Sequence, residues 1–248
     1  MHGVAFSPTY ARSTRSAEEV FGLLFSLLLL GLLLGFKHAL EADHVSTVAT
    51  LASRSASTKD TLGVAAAWGL GHAAALAAAG SILIALGATL PDRMQRWLEA
   101  VVGAILVALG AGVLQRVREK RLHLHAHQHG AERHLHFHSH AEEAGHEHPH
   151  RAPLRRRSLL IGGLHGLAGT GAISLLALPA TGSPLKALLY LLVFGVGSVF
   201  GMVALSLAVS LPLRLSARRL GRIGLALEGL LGVADVAIGG FILSKLVS

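Results

Sequence analysis

Six apolar stretches, each near the roughly 20 residues that a helix needs to cross a bilayer, leave this chain few ways to fold. They run over about 19–40, 62–89, 97–116, 158–180, 185–211 and 222–246. In lipid every backbone N–H and C=O must find its partner within the protein, so spans of this kind become helices. The expected fold class is therefore all-α, a polytopic membrane protein of about six transmembrane helices. With 52% hydrophobic and 15% charged residues, the composition agrees. Arg12 and Arg15 precede the first apolar run as in a signal peptide. Phe36-Lys37-His38 follows it where a small-residue cleavage site would stand, so an uncleaved span is expected.

The spans divide the chain into four parts. Residues 1–17 form a flexible polar tail, 18–116 a first transmembrane half of three helices, and 158–248 a second half of three helices. Residues 117–157 form a His-rich loop expected to be disordered. Between His123 and His150 that loop holds eleven of the sixteen histidines, often alternating, which reads as metal-binding composition.

Lys and Arg counts in alternate loops set the orientation. The side with the tail, the second loop, Lys186 and Lys245 collects six. The side with Arg54, Lys59, the central loop and the fifth loop collects fifteen. That richer side is expected to be cytoplasmic, with both termini outside a bacterial-type cytoplasmic (inner) membrane. The net charge of +8 thus belongs to loops, and with 2 Trp and 2 Tyr there is little to stack bases, so nucleic acid is not an expected partner. No cysteine is present, which removes disulfides, thiolate metal sites and Cys nucleophiles.

Directly after the first apolar run stand His38, Glu41, Asp43 and His44. Ionisable groups at membrane depth are expensive and default to function. Imidazole with carboxylate is a ligand set that divalent first-row metals accept. His72 on the second span and His165 on the fourth add two more imidazoles. Either alone is as readily an interhelical hydrogen-bonder; four together beside two carboxylates favour one shared metal site. Helix geometry constrains it. At about 100° per residue, Glu41 lies about 60° and His44 about 120° from His38, whereas Asp43 lies about 140° away in the opposite sense. An unbroken helix cannot aim all of them at one ion. Either the helix opens here, as discontinuous transporter helices do, or a carboxylate holds a ligand imidazole from behind. Asp43 and Glu41 both remain open for that role, and the motif continues helically to about Ser53.

Lys37-His-Ala-Leu-Glu-Ala-Asp-His-Val45 closely resembles the signature of the nickel/cobalt permease family (NiCoT or NicO type), approximately Arg-His-Ala-x-Asp-Ala-Asp-His-Ile. Lys37 replaces Arg and Glu41 replaces Asp. Trp68-Gly-Leu-Gly-His72 is similar to the family's second Gly-His motif, and His165-Gly-Leu-Ala-Gly-Thr-Gly171 to a segment of its UreH-like branch. The resemblance covers most of the six-span core. It implies metal-site roles for His38, Glu41, Asp43, His44 and His72. A large His-rich loop resembles the RcnA-type exporters, whereas the UreH-like branch implies nickel supply to urease.

Lesser features complete the reading. His38-Ala-Leu-Glu and His165-Gly-Leu-Ala suggest two inverted three-helix repeats. In that case Thr170 and Ser174 would line the cavity, although ordinary hydrogen bonding explains them as well. Glu228 and Asp235 share one face of the last span, as proton-relay groups or as charge partners. Glu99 reads as interfacial. Met1-His2 offers an amine, an amide nitrogen and an imidazole that can bind Ni(II) in a plane, against the simpler reading of a mobile tail.

The expected function is a permease for Ni²⁺ and/or Co²⁺, with uptake favoured over efflux and no catalytic cofactor. Its partners are the divalent transition-metal ion and the lipid bilayer, with cytoplasmic nickel chaperones or urease maturation proteins as candidates. From other classes, an intramembrane zinc metalloenzyme lacks the His-Glu-x-x-His signature, and a metal-buffering protein would place the function in the loop. No Gly-x4-Gly-Lys-Ser/Thr motif occurs, so ATP hydrolysis is not expected.

Overall fold

A computed structural model describes residues 17–53, 55, 57–122, 127–129, 132–134, 151–219 and 221–246. Its helices are α1 (Ala17–His38), α2 (Ala42–Ser53), α3 (Thr58–Leu86), α4 (Asp92–Leu122), α5 (Arg151–Thr181), α6 (Pro184–Arg219) and α7 (Gly221–Ser244). A hairpin of two three-residue strands, β1 (His127–His129) and β2 (Glu132–His134), lies between α4 and α5. The rest of the His-rich loop, with its expected disorder, lies outside the described residues, as do the N-terminal tail and His2.

The protein is thus an all-helical, multi-pass membrane protein. Five helices, α1, α3, α4, α6 and α7, are long and apolar enough to cross a bilayer. At 31 residues, α5 is about 46 Å long. It turns Leu159, Leu160 and Leu164 outward, as the other helices turn Phe25, Leu70 and Phe200. These exposed apolar side chains form the surface that lipid covers. Helices α4 and α5 run past the boundaries expected at 116 and 158. At the end of α4 the sequence Arg-Val-Arg-Glu-Lys-Arg is made of good helix formers, and Gln115 donates to Glu119 one turn on.

Local signals set the other ends. Ser57 caps α3, its hydroxyl accepting from the Asp60 N–H. Gly87, left-handed at φ 59°, closes the same helix, and Gly182 at φ 61° stands between α5 and α6. Between α1 and α2 the chain opens. The Leu40 and Glu41 N–H groups reach back only three residues, to the Lys37 and His38 carbonyls, before Val45 resumes helical bonding to Glu41. The helix therefore breaks at residues 39–41, the first of the two alternatives that the helical angles left open, and resumes as far as Ser53.

Packing joins α1 to α6, α3 to both α5 and α6, and α4 to α7, while the short α2 docks among α3, α4, α6 and α7. Small residues let these backbones close up. Gly35 of α1 rests on the Phe194 carbonyl of α6, and Gly166 of α5 rests on the His72 carbonyl of α3. Gly103 and Gly110 of α4 meet Gly239 and Gly232 of α7. Two apolar clusters bracket the middle of the bundle. One gathers Leu76, Ile84, Tyr190, Leu191 and Phe194; the other gathers Val48, Leu51, Val64, Trp68 and Met202.

A side chain at Gly166 must push α5 off the backbone that carries His72. Gly166→Leu is therefore expected to lower the thermal unfolding temperature in detergent, overpacking costing about 1–3 kcal/mol. Gly22→Leu is the control: nothing lies within 4 Å of its Cβ position, and it should shift stability by no more than about 0.5 kcal/mol.

Candidate metal centre

The break at residues 39–41 ends α1 at His38 and starts α2 with Asp43 and His44 in its first turn. From α3 comes His72, and from α5 comes His165. The four rings form one cluster. Ring centroids are 4.4 Å apart for His38 and His44, 5.4 Å for His38 and His72, 5.2 Å for His44 and His72, and 4.4 Å for His44 and His165. His44 and His72 are 1% and 0% exposed. Residues far apart in sequence thus meet in the interior of the bundle.

The carboxylates stand behind the rings. Glu41 Oε1 lies 3.1 Å from His38 Nδ1. Asp43 Oδ1 lies 3.0 Å from His44 Nδ1 and also accepts the His44 backbone N–H, while Oδ2 lies 2.8 Å from His165 Nε2. A carboxylate only accepts, so each of these ring nitrogens carries the proton that it donates. That leaves the Nε2 lone pairs of His38 and His44 free. Among the described residues neither Nε2 has a hydrogen-bond partner, nor does either nitrogen of His72. One ligating atom from each of His38, His44 and His72 falls within 4.8 Å of the others, and Asp43, His44 and His165 form a second, overlapping group with the same spread. In a tetrahedral complex with bonds of about 2.1 Å, nitrogens stand roughly 3.4 Å apart. Side-chain motion of an ångström or so closes the gap.

A cavity of about 530 Å³ leads to the cluster. Its walls include Lys37, His38, Glu41, Asp43, His44 and His165 at the inner end, and Gln95, Glu99 and Lys245 near the ends of α4 and α7. His72 lies behind His38 and His44 and does not line it. On the other side Trp68, 0% exposed, closes the floor, with its ring 5.5 Å from His44 and 5.7 Å from His165. Below Trp68, Val48, Leu51 and Val64 pack closely enough to leave no room for a water molecule.

The structure brings together His38, Glu41, Asp43, His44, His72 and His165. Thr170 is not in the cavity wall: its hydroxyl donates to the Gly166 carbonyl within α5. The Ser174 side chain lies outside the described residues. Glu99, expected to be interfacial, lines the cavity and accepts from Gln95 at 3.1 Å. The pair sits one turn apart at the start of α4, a spacing visible in the sequence. Trp68 as floor and Phe194, whose ring is 5.4 Å from His38, were not singled out; nothing in a lone aromatic on an apolar helix marks it as a wall.

A multi-pass helical bundle with an imidazole cluster at the foot of an open cavity defines the class. Residues 26–234 match the family described as cytochrome c biogenesis protein transmembrane region, and the chain belongs to that family. The branch follows from a curated relative, the urease accessory protein UreH of Bacillus sp. (strain TB-90). It is 33% identical over 206 residues, spanning 79% of this chain and 82% of the relative, in keeping with the resemblance to UreH-like nickel/cobalt permeases. No solved structure matches. Without cysteine, the chain has no thiol–disulfide chemistry available to it.

Buried nitrogens without partners destabilise the metal-free protein. His72→Leu replaces the most enclosed of them with an apolar group of similar volume. It is expected to raise metal-free stability by about 1–3 kcal/mol, seen as a higher unfolding temperature in chelator; a lower temperature would contradict the unpartnered reading of the cluster.

Proposed function

We propose that the protein is a permease that moves Ni²⁺ or Co²⁺ across the membrane through the His38–His44–His72 cluster. The observation that carries this reading is the convergence of unpartnered, desolvated imidazole nitrogens at the foot of a cavity. Glu41 and Asp43 fix the tautomers of two of them, the arrangement that raises ligand basicity. Their two negative charges also balance a divalent ion, so the loaded cage is neutral where a net charge is expensive. The break places the negative end of the α1 dipole at the same point, as discontinuous helices do around cations. His165 hands its ring N–H to Asp43 and supplies a further nitrogen beside His44.

Direction follows from charge. The cavity opens where α4 begins and α7 ends, the side with six loop Lys and Arg against fifteen. By the positive-inside rule that side is external, with both termini outside and the His-rich loop in the cytoplasm. An ion therefore loads from outside and uptake is the favoured direction. Trp68 and the apolar cluster beneath it form the inner gate. The second reading is efflux, favoured by eleven histidines on the cytoplasmic side that could gather ions for export.

Helix packing also supports an inverted repeat with α1 and α2 matched to α5, α3 to α6, and α4 to α7. Gly31 and Gly35 meet α6 at Tyr190 and Phe194 as Gly162 and Gly166 meet α3 at Trp68 and His72. On that register His38 corresponds to Gly169, not to His165. A transporter of this form needs no catalytic cofactor. By analogy with the urease accessory relative, cytoplasmic nickel-handling proteins are the natural recipients of the ion.

Radiolabelled nickel flux into proteoliposomes tests the function. Flux should fall at least tenfold with His38→Ala or His44→Ala, and unchanged flux in both would remove the proposal. Ligand imidazoles must be deprotonated, so binding should weaken on acidification and release protons when the ion enters. Deleting residues 123–150 should leave flux in place; its complete loss would move the function to the loop.

A further inference from the structure

Asp235 lies in α7, is 0% exposed, and is absent from both the cavity wall and the groups of convergent ligands. A carboxylate so placed within a span is expensive, and one that the transport site does not use calls for a role. Both of its oxygens are engaged by α2. The Ser46 hydroxyl donates to Oδ1, and the Thr50 hydroxyl donates to Oδ2 at 2.5 Å. Ser46 and Thr50 are one turn apart and so present one face to the carboxylate. Room for Asp235 comes from α4: a Cβ at Gly110 would stand 2.7 Å from the Asp235 Cβ.

What this grip holds is the element that carries the site. Helix α2 has twelve residues, too few to be stable alone, and its N-terminal end is freed from α1 by the turn at 39–41. After Asp43 and His44 it bears no charge with which to anchor itself. Hydrogen bonds to a carboxylate are about twice as strong as neutral ones, and in the bundle interior no water competes for them. Ser46 stands two residues after His44 and three after Asp43, so rotation or sliding of α2 at Ser46 moves both His44 and the carboxylate that orients it.

We propose that Asp235 is a positioning residue for the transported ion: through Ser46 and Thr50 it fixes the rotation and height of α2, and so sets Asp43 and His44 against His38, His72 and His165. The inference rests on the reading of the cluster as an ion site, and it adds a residue on the last helix that the metal motifs do not contain.

The test uses the full-length protein in a Trp97→Phe background. This leaves Trp68, which touches the cage, as the sole tryptophan, so that quenching by Ni²⁺ reports the cage and not the His-rich loop. Asp235→Asn should weaken Ni²⁺ binding about 10- to 100-fold, the range for residues that orient ligands. It should also speed amide hydrogen exchange over residues 44–53 in the metal-free protein. Ser46→Ala with Thr50→Val, which keeps the carboxylate, should reproduce both effects. Adding Asp235→Asn to that pair should cost less than about twofold more, since the three act as one unit. Unchanged affinity and exchange in Asp235→Asn, or losses that multiply when the variants are combined, overturn the proposal. If Asp235→Asn does not fold, the Ser46/Thr50 variant decides. A wild type whose Trp68 is not quenched by Ni²⁺ defeats the functional reading instead, and exchange alone then decides whether Asp235 pins α2.

Discussion

The structure depends on imidazoles turned edge to edge whose nitrogen lone pairs accept no hydrogen bond. Burying a polar atom without a partner is unfavourable anywhere, and in a bundle core surrounded by lipid there is no solvent to relieve it. His38, His44 and His72 nevertheless place such atoms within 4.8 Å of one another. Glu41 and Asp43 make the arrangement persist. By accepting the Nδ1 protons they remove the tautomers in which His38 and His44 could donate into the cluster and satisfy one another. The hydrogen bonds thus leave acceptor nitrogens facing one another, the feature on which the proposed function rests.

Everything nearby serves to hold those rings. The break between α1 and α2 brings the His38 and His44 rings within 4.4 Å of each other and lets Asp43 stand behind His44. Gly166 against the His72 carbonyl draws α5 onto α3, and Gly35 against Phe194 draws α1 onto α6. Trp68 closes the floor, and the apolar cluster below it separates the cage from the opposite face. The open side and the sealed side are therefore made of different material: a cavity wall with histidines, carboxylates and lysines on one, and valine, leucine and tryptophan on the other. On the proposed function, that asymmetry is what a carrier open to one side needs.

The helical membrane fold and the cluster were legible because both rest on strong local signals. Apolar runs can only be helices in lipid, and two carboxylates with two histidines in seven residues cannot be accidental packing. The break was one of two ways to reconcile 100° per residue with His38, Asp43 and His44 meeting; the other, a carboxylate behind a ring, is also present in Asp43. Which residue stands behind which ring was not legible: Asp43 reaches His165 across 122 positions of sequence, a matter of how α5 docks on α3. The match of His38 to His165 in the two halves rested on a short string of letters, too little to set the register of a repeat. Asp235 stood out as an intramembrane carboxylate, but its engagement by Ser46 and Thr50 depends on a tertiary contact, invisible in two hydroxyl residues on a short helix.

Whether one point in space holds the ion is read from anomalous diffraction at the nickel absorption edge on crystals soaked in Ni²⁺. A peak is expected about 2.1 Å from the Nε2 atoms of His38 and His44 and from a ring nitrogen of His72, with Glu41 and Asp43 still behind the rings. Anomalous density confined to the His-rich loop, with the three imidazoles bonded to one another or turned apart, would contradict it.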